Sequence, residues 1–312
     1  DRKFKPGNPA ANRDLLDSGT LYVARFDVGA AAGDRMGTGE WIALVHGQNG
    51  LTPENGFVDQ ADVLIRTRMA ADRVGATRMD RPEWIAAHPK KTGDVYIALT
   101  NNTARGGSFP VDEANPRASN AWGHILRWSE TDGRPSATTF DWDIFLLAGN
   151  PVAFPDRSDL RSGSANITPE NMFNSPDGLY FDKSGRLWIQ TDGSFANTGN
   201  FAGQGNNQML AADVETGEVR RFLVGPSGCE ITGLAFSPDR KTMFVNVQHP
   251  GEVGAHPNRP AGSTDDSIAR NPTAFSIWPA SQKNPPANRA DAGRPRSATV
   301  VVRRLDGGVI GG

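Results

Sequence analysis

Three carboxylates stand at matched places ahead of short strand candidates: Glu83 directly before Trp84, Asp177 directly before Gly178, and Glu230 two residues before Thr232. Carboxylates gathered in a partly buried pocket repel one another, and a multivalent cation relieves that repulsion. Their oxygens suit a hard cation such as calcium, and carboxylates also bind ferric iron. The competing reading of each acid is a simple turn cap. Arg81 lies two residues before Glu83, and an extended Arg81-Pro82-Glu83 run puts both side chains on one side. A guanidinium beside cation-bound carboxylates offers bidentate recognition of a phosphate or carboxylate ligand. An ordinary Arg–Glu ion pair is the alternative.

Further polar residues sit where the following strands end: Asn101 and Asn102, Asp192, and Gln248 with His249. Asp192, in Thr191-Asp192-Gly193-Ser194, reads first as a turn acid, and His249, ahead of Pro250 and without an Asp or Ser partner at catalytic spacing, as structural. The chain has no GxSxG elbow, HExxH, P-loop or GxGxxG opening a helix, so covalent serine chemistry and nucleotide binding by those routes are unsupported.

Positioning these residues requires a repeated scaffold. Segments 83–88 and 94–100, 177–182 and 186–191, and 232–237 and 242–247 each read as strand, Gly- or Pro-bearing turn, strand. Each pair is followed by two more strand candidates: 123–128 and 137–145, 207–213 and 218–224, 273–278 and 297–304. Four strands per unit, repeated three times, is the pattern of β-propeller blades. Segments 21–27 and 40–45 read as the outer half of a preceding blade, giving about three and a half blades in all. The chain is therefore expected to be the C-terminal part of one larger propeller domain covering residues 1–312. An all-β sandwich with irregular loops is the competing architecture. Between the half blade and the first full blade, Ala61, Leu64, Ile65, Met69 and Val74 recur at near-helical spacing and predict one inserted amphipathic helix over 57–75. Loops 103–120, 150–174 and 250–272 are rich in Asn, Pro, Gly and Ser, and could carry ligand contacts or act as spacers.

Composition agrees. Thirty-five glycines and 22 prolines in 312 residues favour short strands and turns over long helices. Thirty-three basic against 35 acidic side chains leave a net charge of −2, which argues against a nucleic-acid partner. The apolar runs fall far short of the roughly 20 residues that span a bilayer. Cys229 is alone, excluding an internal disulfide or a CxxC metal site. The first residue is Asp1, without Met or a signal-like segment, as in a processed product or a fragment.

Seven motifs in order resemble the PhoX alkaline phosphatase family: Met79-Asp80-Arg81-Pro82-Glu83-Trp84 with His88-Pro89-Lys90, Leu99-Thr100-Asn101-Asn102, Gly123-His124-Ile125 with Arg127-Trp128, Ser175-Pro176-Asp177-Gly178-Leu179, Leu187-Trp188-Ile189-Gln190-Thr191-Asp192-Gly193, Glu230-Ile231-Thr232-Gly233, and Gln248-His249-Pro250-Gly251-Glu252. The resemblance runs from about Gly19 to the C-terminus. It implies a six-bladed propeller phosphatase, exported to the periplasm or secreted, that hydrolyses phosphate monoesters with calcium and iron. It also implies that Arg81 binds phosphate and that Glu83, Asp177 and Glu230 bind metal, with Glu83 and Arg81 the catalytic pair. Asn101 and Asp192 stand beside them as further site residues. The family's cysteine and additional glutamate iron ligands belong to an N-terminal propeller half that has no counterpart here, so this chain alone is expected to be inactive or dependent on that half. Two other readings compete: a non-catalytic calcium-binding or interaction segment, and a lactonase-like propeller hydrolase with one axial calcium.

Overall fold

The computed structural model describes residues 3–254, 256–283, 285, 287–288 and 291–312. Asp1 and Arg2, Ala255 in the third long loop, and Asn284, Pro286, Arg289 and Ala290 ahead of the last strand lie outside the described residues.

The first sheet contains β1 (Tyr22–Phe26), β2 (Met36–Ala43), β3 (Pro82–Ala87), β4 (Asp94–Leu99), β5 (His124–Glu130) and β6 (Thr139–Leu147). The second contains β7 (Pro176–Phe181), β8 (Arg186–Thr191), β9 (Gln208–Asp213) and β10 (Val219–Val224); the third, β11 (Glu230–Phe236), β12 (Met243–Gln248) and β13 (Ala298–Val302). All pairings among these strands are antiparallel. Strands β3, β7 and β11 head their sheets, and β7 packs against both β3 and β11. This succession is what gathers their entry residues.

Apolar layers between the sheets fix that arrangement. Tyr96, Trp122 and Ile125 pack with Leu179, Leu187 and Ile189 between sheets one and two. Trp188 and Met209 meet Ile231, Met243 and Trp278 between sheets two and three. Burying a side chain of this size contributes about 1.5–3 kcal/mol.

Three expectations are corrected. Segments 21–27 and 40–45 do not form a separate half blade: β2 begins at Met36 and pairs with β6 from Met36↔Asp143 to Glu40↔Thr139, extending the first sheet to six strands. The Trp142 indole drives this by donating to the Asp27 and Thr38 carbonyls, at 3.0 and 2.9 Å, while Phe26 packs edge-on against Trp142 and Phe140.

Segment 273–278 is not a strand, so among the described residues the third sheet has three strands rather than four. Pro272 opens a 3-10 turn, Phe275 packs edge-on against His256 and Trp278 is buried in the core; these aromatics serve packing instead of a ladder.

The helix over 57–75 is two short helices, Gln60–Ile65 and Thr67–Arg73, broken at Arg66 (φ −100°, ψ 36°). Asp59 caps the first by accepting from the Asp62 amide at 2.9 Å. Their buried residues are Val63 and Ala70, which join Leu44, Leu51 and Phe57, whereas the expected apolar face of Leu64, Ile65 and Met69 points outward. Of the five residues in the expected stripe, Val74 packs against that cluster and Ala61, Leu64, Ile65 and Met69 are exposed.

Candidate metal centre

Each inner strand carries a bulge near its entry. In β3, Pro82 pairs with Leu99 and Ile85 with Ile97, leaving Glu83 and Trp84 across one partner residue. In β7, Pro176 pairs with Thr191 and Leu179 with Ile189, leaving Asp177 and Gly178 in the same situation. In β11 the register shifts between Thr232 and Leu234, around Gly233 at φ 63°. Bulges re-aim side chains at sheet ends. With Ile85, Leu179 and Leu234 taken as equivalent, Glu83 and Asp177 share a register position. Glu230 sits two residues earlier, the position of Arg81 and Ser175, and so on the same side of its strand.

The fields of these groups overlap. Asp177 is half-buried, and its carboxyl is pushed up to about 7, first by burial and then by Glu83, Glu230 and Asp192, with Arg81 opposing. Burial also raises Glu230, helped by Asp192 and Glu83 and opposed by His249. Glu83 itself is exposed, as are Arg81 and Asp192, whereas Glu230 is only 8% exposed. Four carboxylates from three sheets thus face one guanidinium and one imidazole.

Short contacts tie the cluster together. Arg81 Nη1 donates to Asn101 Oδ1 at 2.9 Å, and Asn101 Nδ2 donates to Ser175 Oγ at 3.1 Å, linking the first two sheets. Gln248 Nε2 donates to Glu230 Oε2 at 2.7 Å, and His249 Nε2 lies 3.5 Å from that same oxygen. One ligand atom each from Asp192, Glu230 and His249 all lie within 4.8 Å of one another, close enough to share a cation. The unmatched acids, one of them driven towards its protonated form, fit the donor chemistry of a hard cation.

Arg81 reaches this cluster by a route the sequence did not suggest. It is not extended but left-handed, at φ 52°, with its amide donating to Met79 O and its carbonyl accepting from Thr100 N. Ser175 at φ 51° and His249 at φ 36° are also left-handed, and each of the three precedes a proline. Such conformations cost on the order of 1–3 kcal/mol each and concentrate at functional sites.

The whole chain except its last 61 residues matches one family model, alkaline phosphatase PhoX, over residues 1–251. The chain belongs to the PhoX alkaline phosphatase family. Among solved structures it is similar to Pseudomonas fluorescens PhoX in complex with vanadate, a transition state analogue, at 51% identity and a TM-score of 0.85. That match covers 99% of this chain and 48% of the other, so the chain spans about half the length of that PhoX. The likeness supports a propeller-like arrangement of the three sheets. A Xanthomonas campestris gluconolactonase also matches, at 14% identity over 75% of this chain and 67% of that one, but its TM-score of 0.26 carries no argument. No curated protein matches.

Of the residues singled out in the sequence, Arg81, Glu83, Asp177, Glu230, Asn101 and Asp192 come together, by contact or by field. Asn102 does not: its amide bridges to Asn120 and its side chain accepts from Ala104 N. His249, read as structural in the sequence, lies 3.5 Å from Glu230 Oε2 and 3.0 Å from Glu252 Oε2. Its signal was present in the run Gln248-His249-Pro250, where a left-handed residue turns the imidazole back over β11. Cys229 is fully buried, and burial pushes its thiol up to about 12, so it stays neutral.

Proposed function

We propose that this chain is the C-terminal part of a metal-dependent phosphomonoesterase, a PhoX-like alkaline phosphatase in a six-bladed propeller. The observation that carries the reading is the meeting of Glu83, Asp177, Asp192 and Glu230 from three sheets beside Arg81. Family membership and the likeness to a PhoX bound to a transition state analogue support the same reaction class.

Glu83, Asp177 and Glu230 would hold calcium and iron, with Asp192 and His249 as further ligands. When bound, these cations supply Lewis-acid polarisation of the phosphoryl oxygens. Arg81 is the group that grips the monoester. Asn101 accepts from one of its five donors, fixing the plane of the guanidinium and leaving the rest of the fork for phosphoryl oxygens. The positive charge then offsets negative charge that grows in the transition state. Gln248 holds the Glu230 carboxylate in one orientation. The raised Asp177 carboxyl shares its site with a proton up to about neutral pH, and a bound cation would displace that proton.

The rest of the propeller is the proposed partner. Trp84 and Ile85 of β3 are 41% and 58% exposed although β3 is an inner strand, and an N-terminal half packed there would cover them. Periplasmic or secreted localisation follows from the family; among the described residues no helix is long and apolar enough to cross a membrane. The test is phosphate release from a generic monoester by the full-length protein, with and without added calcium and iron. Turnover abolished by Arg81→Ala and Glu83→Ala supports the reading. Calcium binding without turnover would instead support a non-catalytic segment.

A further inference from the structure

Behind Arg81 lies a buried polar cluster that the proposed chemistry does not use. Asp80 is fully buried and Arg105 is 2% exposed, and they form a close ion pair, Arg105 Nε to Asp80 Oδ1 at 2.7 Å. The Arg105 fork makes three further bonds, from Nη2 to Arg78 O and from Nη1 to Pro110 O, both at 2.8 Å, and a longer one from Nη1 to Asp112 Oδ2 at 3.5 Å. Asn120 Nδ2 donates to the second Asp80 oxygen at 2.9 Å, and the Asp80 amide donates to Asn115 Oδ1 at 2.9 Å. Residues 78–80 are thereby bracketed on both main chain and side chain, immediately ahead of the left-handed Arg81.

A buried ion pair is weak evidence for stability, because desolvation offsets most of the attraction and an apolar replacement is often as stable. Its best-attested use is to specify one conformation. The second sheet supplies an internal comparison. Ser175 has the same register and the same left-handed conformation as Arg81 and also precedes a proline. There the residue before it, Asn174, is held by neutral groups: its Oδ1 accepts from Ser194 N at 2.9 Å and its Nδ2 donates to Gln204 Oε1 at 2.7 Å. At the entries of β3 and β7 the same backbone device is thus built, and of these two the one whose next residue is an arginine uses a complete ion pair. The long loop 103–120 supplies Arg105, Asn115 and Asn120, so positioning residues 78–80 is a task for that loop beyond spacing.

We infer that Asp80 and Arg105 form a positioning clamp that holds Arg81 in the geometry required to bind a phosphoryl group. The inference rests on Arg81 being the anion-binding residue. A long side chain with a misplaced Cα loses its alignment with a bound anion even when its charge is intact. Arg105→Lys keeps a cation near Asp80 but cannot reach Arg78 O and Pro110 O at once.

The test is calorimetric titration of inorganic phosphate into the metal-loaded full-length protein, in a four-way set of wild type, Arg81→Ala, Arg105→Lys and the double variant. The clamp predicts that Arg105→Lys weakens phosphate binding about tenfold. In the Arg81→Ala background the same substitution should change it less than about twofold, because the clamp acts only through Arg81. Equal losses in both backgrounds, or wild-type binding by Arg105→Lys, overturn the clamp. Wild-type binding by Arg81→Ala overturns the underlying reading of Arg81 instead, so the two failures are distinguishable. If Arg105→Lys does not fold, Asp80→Asn takes its place in the set, since it keeps the shape of Asp80 but turns a donor towards Asn120, and the same outcomes decide.

Discussion

Glu230 Oε2 and His249 Nε2 stand 3.5 Å apart, joining the entry of β11 to the turn beyond β12. Asp192, from the turn after β8, completes a set of three possible ligand atoms within 4.8 Å. The arrangement predicts that Glu230→Gln lowers calcium affinity of the metal-free protein by at least about tenfold, and that His249→Ala has a smaller effect. Isothermal titration of calcium checks both. Unchanged affinity in Glu230→Gln removes Glu230 from the ligand set.

Arg81 is expected to act on the transition state as well as on binding. Arg81→Ala should lower kcat/KM for a phosphate monoester by about 10²–10³, and Arg81→Lys should recover only part of the loss because an ammonium lacks the planar fork. Steady-state kinetics with matched metal content is the measurement. A full recovery by lysine would mean that charge alone matters there.

Asp177 gives the metal-free protein a characteristic pH dependence. Its folded-state value is raised to about 7 from an ordinary 3.8, so unfolding releases a proton between these values. The stability it contributes is complete below the ordinary value and is lost as pH rises to about 7. Calcium affinity moves oppositely, rising over the same window as the proton becomes easier to displace. Chemical denaturation and calcium titration between pH 4 and 8 should show both trends, and Asp177→Asn should flatten them.

Gly178 has no room for a side chain. A Cβ there would come 2.1 Å from Oε1 of Gln190, which is buried and already donates through Nε2 to Gly233 O at 3.1 Å. Gly178→Ala should destabilise the fold by about 1–3 kcal/mol, and should weaken calcium binding by displacing the neighbouring Asp177. Denaturant titration and calorimetry report the two effects separately.

The sequence was most legible where local chemistry decides structure. Turns such as Lys183-Ser184-Gly185 marked the hairpins, and the matched acids marked the inner strands. The bulges at Glu83, Asp177 and Gly233 were not legible, because an extra residue leaves no trace in an alternating pattern. The left-handed Arg81 was hidden for a related reason: a residue before proline is locally biased to be extended, and the contacts around it, Thr100 N on its carbonyl and Arg105, Asn115 and Asn120 on the preceding Asp80, come from residues distant in sequence. Segment 273–278 had strand-like residues, yet Pro272 and the burial of Trp278 committed it to a turn. The outward face of Leu64 and Ile65 shows the limit of periodicity, which locates a stripe without saying which stripe meets the core.

Anomalous diffraction from crystals of the metal-loaded full-length protein, soaked with inorganic phosphate, would locate both the cations and the anion. Calcium and iron peaks are expected in coordination range of Glu83, Asp177 and Glu230, with phosphate oxygens hydrogen-bonded to the Arg81 guanidinium. Metal peaks remote from all three carboxylates, or phosphate bound away from Arg81, would contradict the proposed site.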